Sequence, residues 1–84
     1  NHLKNLSNDV FDDLINLEVI WLHDNELTTL PTTIFNKLSN LDTLDLSNNR
    51  LKTLDKNLFN NLNGLFHLNL GGNQLAYIDS STFK

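Results

Sequence analysis

His23, Asp24 and Ser47, with Asp42, Asp45 and His67, are the side chains here that could move a proton. A serine nucleophile needs an imidazole to take its proton, a carboxylate to orient that imidazole, and donors for the oxyanion. His23 and Ser47 stand 24 residues apart with Asp24 beside the first, so one surface could display all three. That surface is expected to be flat and wet, without an oxyanion hole, and no catalytic residue is assigned. Glu18, Asp24, Asp42 and Asp45 could meet a basic partner or a cation. No loop gathers the oxygens that Ca²⁺ requires, so no metal or cofactor is expected. Gly71-Gly72 lacks the flanking pattern of a phosphate loop and reads as relief of side chains that leaves a shallow notch beside Asn69. There is no cysteine, which removes thiolate chemistry and disulfides alike.

These residues are positioned by an internal repeat. Shifting the chain by 24 residues aligns Leu17, Leu41 and Leu65, then Ile20, Leu44 and Leu68, then Leu22, Leu46 and Leu70. Asn25, Asn49 and Asn73 follow in register, then Leu27, Leu51 and Leu75, then Leu30, Leu54 and Ile78, and finally Phe35, Phe59 and Phe83. Carried backwards, the frame takes in Asn1, Leu3, Leu6, Phe11 and Leu14. A half repeat over 1–16 is thus followed by repeats over 17–40 and 41–64 and an incomplete one over 65–84. A fixed period of this size marks stacked units, each burying its neighbour's apolar face.

Within each unit the segment LxxLxLxxN predicts a short strand, because alternate side chains share a face. The leucines point inward, and successive strands stack into a parallel sheet. Side chains on the outward positions are Glu18, Val19, Trp21, His23 and Asp24, then Asp42, Thr43, Asp45, Ser47 and Asn48, then Phe66, His67, Asn69 and the glycines. The asparagines are expected to bond neighbouring backbone as a ladder. The phenylalanines are expected to form a column on the wider, convex side.

LEVIWLHDN, LDTLDLSNN and LFHLNLGGN all fit LxxLxLxxN, and the 24-residue form LxxLxLxxNxLxxLxxxxFxxLxx resembles the animal extracellular leucine-rich repeat, as in Toll-like receptor ectodomains and variable lymphocyte receptors. The resemblance implies an α/β leucine-rich-repeat solenoid. Its right-handed arc would have parallel strands inside and irregular or short-helical segments outside. It also implies a non-enzymatic module that binds on the concave sheet, so the outward positions are the candidate contacts, Trp21 foremost and Phe66 second. Exposed aromatics of this kind anchor interfaces.

Ten acidic residues against six basic ones give a net charge of -4, which repels phosphate backbones and excludes nucleic acid as a partner. No apolar run reaches a membrane span, so any membrane attachment is expected through a segment outside this chain. Because the sequence shows no cap at either end, a piece of a longer ectodomain, extracellular or at the cell surface, is expected. Asn5-Leu6-Ser7 is the one glycosylation triplet, and Asn5 is expected to face outward between buried Leu3 and Leu6. Three roles stay open: a receptor, of innate-immune kind, taking a protein ligand or co-receptor; a matrix or neuronal adhesion protein that pairs with its own copy as a homo-oligomer; and an arc that covers an enzyme.

Overall fold

The computed structural model of the chain describes residues 2–75, so Asn1, Ile78 and Phe83 of the repeat frame lie outside the described residues. Strands β1 (Val19–Trp21), β2 (Thr43–Asp45) and β3 (His67–Asn69) form one parallel sheet in the order β1-β2-β3. The central residues Ile20, Leu44 and Leu68 pair in register, with Val19 beside Thr43 and His67, and Trp21 beside Asp45 and Asn69. Two-residue alternation turns Ile20 and Leu44 into the core and their flanks away from it.

Pairing continues past each strand. The Leu22 and Leu46 amides donate to the Asp45 and Asn69 carbonyls at 2.8 and 2.9 Å, and the Asp24 and Asn48 amides to those of Ser47 and Gly71 at 3.0 and 2.8 Å. The chain then turns through a left-handed residue at one repeat position, with φ of 59° at Asp24, 57° at Asn48 and 69° at Gly72. Asp, Asn and Gly are the types that tolerate this region, so the three identities have a backbone cause.

On the convex side the chain advances by turns whose amides bond three residues back. Ile34 donates to Pro31, Asn36 to Thr33 and Leu38 to Phe35, and Leu58, Asn60 and Leu62 repeat the pattern in the next unit at 3.1–3.2 Å. Three-residue closures of this kind make successive turns, and no helix occurs among the described residues. Phe11, Phe35 and Phe59 stack behind them, with ring centroids 6.2 and 6.3 Å apart and interplanar angles of 17° and 13°.

The core is deepest where the 17–40 repeat meets the 41–64 repeat, with Leu27, Phe35, Leu38, Leu41, Leu44, Leu46 and Leu51 fully buried. A solenoid unit is sealed by the units on either side. Leu3, expected inside, is 43% exposed, and Leu14 47%, because the half repeat has a neighbour in this chain on one side only. Asn5 therefore lies between an exposed Leu3 and a half-buried Leu6, and is itself exposed.

Candidate functional site

Two aromatics stand off the open face of the sheet. Trp21 is 70% exposed and Phe66 85% exposed, and Val19 joins them as a smaller exposed apolar side chain. Both rings line a cleft of about 430 Å³, together with the strand residues Thr43, Leu44 and Asp45 and His67, Leu68 and Asn69. Phe66 and His67 are successive residues whose ring centroids lie 5.9 Å apart at an angle of 53°, so one edge of the cleft is a tilted aromatic pair.

The polar wall is held in place. Asp45 Oδ1 accepts from the Ser47 amide at 2.9 Å and from the Ser47 hydroxyl at 2.6 Å, which fixes the carboxylate's rotamer. Asn69 has the same role in the next repeat, its Oδ1 accepting from the Gly71 amide at 3.0 Å. In the first repeat this position is Trp21, whose indole has no acceptor for the amide two residues on. There the sequence gives up a local backbone bond for a large exposed ring. Glu18, His23, Asp24 and Asn48 are exposed, whereas Asp42 is half-buried and accepts the Thr43 hydroxyl at 2.6 Å.

Ser47, expected on the outward face, is buried at 9% exposure. The correction has a local cause: its hydroxyl turns back to cap Asp45 instead of facing solvent. His23 Nδ1 lies 3.8 Å from Asp45 Oδ2, so the carboxylate sits between imidazole and hydroxyl. A nucleophile would need the imidazole in that middle place. Among the described residues no group of three or more acidic or histidine side chains could hold a metal ion.

The Ser47 hydroxyl, then the Ser47 amide, hold the Asp45 carboxyl below its ordinary range, opposed by partial burial and aided by His23. A folded value below the unfolded one adds stability at neutral pH that is lost as pH falls through the folded value. The denaturant midpoint of the native chain is thus expected to drop on acidification from about pH 5 to about pH 2.5, and that of Asp45→Asn to drop less. Glu26 adds to the slope in both proteins, held low chiefly by its bond to His2. Equal slopes in paired denaturation curves would show that the Ser47 contacts do not favour the charged form.

Away from the cleft, the asparagines tie the repeats together. Asn25 Oδ1 accepts the Leu3 amide, Asn49 Oδ1 the Leu27 amide and Asn73 Oδ1 the Leu51 amide, at 3.0–3.1 Å. Their Nδ2 groups donate to carbonyls at the ends of the strands. A lateral column is one that the leucine pattern does not announce: Glu26 lies 3.1 Å from His2 Nδ1 and 3.9 Å from an Arg50 nitrogen. Its signal is the same 24-residue spacing, applied to charge instead of leucine.

Parallel three-residue strands, asparagines clasping successive turns, a stacked phenylalanine column and an open sheet face define a repeat solenoid. The chain belongs to the leucine-rich-repeat family, whose model matches residues 15–75. Among solved structures it is similar to the Toll chain of the Toll–Spatzle complex, in its glycosylated form, described as a molecular hub in Drosophila development and innate immunity. Identity is 43% and the TM-score 0.85, over 94% of this chain and 10% of that one. No curated protein matches it. The chain thus spans a tenth of that neighbour, and a protein-binding role is the function its family supports.

Proposed function

We propose that this chain belongs to the ectodomain of a receptor, secreted or at the cell surface, that binds a protein ligand on its concave sheet. The observation that carries this reading is the pair of exposed rings, Trp21 and Phe66, that line one open cleft on a sheet that nothing among the described residues covers. Isolated exposed apolar residues are ordinary, but a tryptophan that displaces a backbone cap is not explained by folding. Aromatic residues in pockets near the centre of an interface carry most of its energy. The neighbour's complex with Spatzle supports a protein as ligand, and its setting supports innate immunity or development as the context.

Trp21→Ala in the full protein is expected to weaken capture of its protein ligand by about 2 kcal/mol, roughly thirtyfold, with unfolding unchanged. Surface-plasmon titration against secreted and membrane proteins is the measurement. Ligands held as tightly by Trp21→Ala and Phe66→Ala as by the native chain would move the function off this face.

We further propose that Asn5 carries an N-linked glycan when the chain is secreted. The side chain is exposed and Ser7 completes the triplet. Expressed through a secretory pathway, the chain is expected to lose mass on treatment with an endoglycosidase, and Asn5→Gln to lack the extra mass beforehand. A native chain whose mass the enzyme leaves unchanged would remove the glycan.

A further inference from the structure

Charge is sorted between the faces of this solenoid. Glu18, Asp24, Asp42 and Asp45 occupy outward positions of the sheet, and no lysine or arginine does in any of the three strand segments. The described basic residues, Lys4, Lys37, Arg50, Lys52 and Lys56, all lie outside those segments. Some of these already have acidic neighbours there, Lys37 at 3.4 Å from Asp12 and Arg50 at 3.9 Å from Glu26. The cleft between Trp21 and Phe66 therefore opens onto a face of one sign.

Asp45 is the carboxylate placed to use that sign. Register puts it one strand from Trp21, a separation of about 4.8 Å in a parallel sheet. Asp45 lines the cleft; its Oδ1 is occupied by Ser47, which leaves Oδ2 to meet a ligand, with His23 Nδ1 3.8 Å away. An aromatic face with a held carboxylate beside it matches a guanidinium: the plane stacks on the ring while its edge donates to the oxygen. We infer that the cleft between Trp21 and Phe66 takes an arginine side chain of the protein ligand, with Asp45 as its counter-charge. The inference rests on the concave-face reading above and names the chemistry of the partner.

Asp45→Asn tests it without disturbing the fold. The amide oxygen keeps the bonds from Ser47, as Asn69 Oδ1 does for Gly71 in the next repeat, and only the charge is lost. The chain holds a single tryptophan, so its fluorescence reports on the cleft. Titration of the full chain with deca-arginine is expected to change the Trp21 emission saturably. The apparent affinity is expected to fall about tenfold in Asp45→Asn, and again as salt rises from roughly 0.05 to 0.3 M. Deca-lysine should bind more weakly, since an ammonium does not stack as a guanidinium does. Chitohexaose and deca-glutamate should leave the emission unchanged.

Equal affinity of native chain and Asp45→Asn for deca-arginine overturns the inference, and so does saturation by chitohexaose, which would make the aromatics a sugar platform. The two readings separate in the capture assay. If Trp21→Ala and Phe66→Ala lose the protein ligand while Asp45→Asn keeps it, the concave site stands and the arginine does not. If all three keep it, both fall.

Discussion

Phe35→Ala is expected to lower the free energy of unfolding by about 4 kcal/mol. The ring is fully buried and stacks with a ring on each side, Phe11 at 6.2 Å and Phe59 at 6.3 Å between centroids. Truncation removes the transfer energy of the ring, leaves a cavity and breaks two stacked pairs, each worth about 0.5 to 1.5 kcal/mol beyond its area. A domain of this length has roughly 4 to 13 kcal/mol in all, so the loss takes a large share. Collapse around the gap is restrained because the turns at Pro31–Ile34 and Phe35–Leu38 are closed by their own backbone bonds. Phe35→Leu, which keeps part of the volume but no ring face, should fall between the native chain and the alanine variant. Urea unfolding followed by circular dichroism is the measurement, and a loss under about 1.5 kcal/mol for the alanine variant would mean that the column is not a unit of the core.

The period of 24 makes most of this architecture readable before any coordinates. It fixes which residues stack, and the sheet then pairs Trp21 with Asp45 and Asn69, and Val19 with Thr43 and His67. Leucine or isoleucine at every inward position leaves no ambiguity of face, because a slip of one residue would turn the whole set outward. What is not legible is wherever a side chain serves its own local backbone. Ser47 follows the outward pattern yet is buried, because Asp45 two residues earlier draws in both its amide and its hydroxyl. Pattern assigns a face, but not a side chain's partner. By pattern alone Asp24 and Asn48 are contact positions and Gly72 a notch, although three residue types tolerant of positive φ at one repeat position are a backbone signal in plain view. Leu3 and Leu14 show the opposite limit. Their identity promises burial, but burial in a solenoid is supplied by the next unit, and a repeat pattern does not say how many neighbours a given unit has. For the convex side, sequence admits irregular and short-helical forms alike. Its turns close at three residues instead of four, and Phe35 and Leu38, the ends of one such closure, are both buried.

Asn49→Ala is expected to cost about 3 kcal/mol, and the bonding explains which half of the amide matters more. Nδ2 donates to the Leu22, Leu46 and Ser47 carbonyls at 2.9, 3.0 and 3.2 Å. Each of those oxygens has a second donor: Asn25 for Leu22, Asn73 for Leu46 and the Asp24 amide for Ser47. They lose a bond without being stranded. Oδ1 instead accepts the amide of fully buried Leu27 at 3.1 Å. An amide left without an acceptor in the core costs about 1 to 3 kcal/mol, and the emptied space around Asn49, itself 5% exposed, adds to it. Asn49→Asp separates the two halves. It restores an acceptor for Leu27 but turns a second oxygen toward three carbonyls, so at neutral pH it should destabilise at least as much as alanine. On acidification the carboxyl gains a proton it can donate, and the gap between Asn49→Asp and the native chain should narrow as pH falls through the raised folded value. Denaturation at two pH values decides it. If Asn49→Asp is close to native at neutral pH, the Leu27 acceptor is all that the ladder supplies, and if alanine is also close, the asparagines do not hold the repeats together.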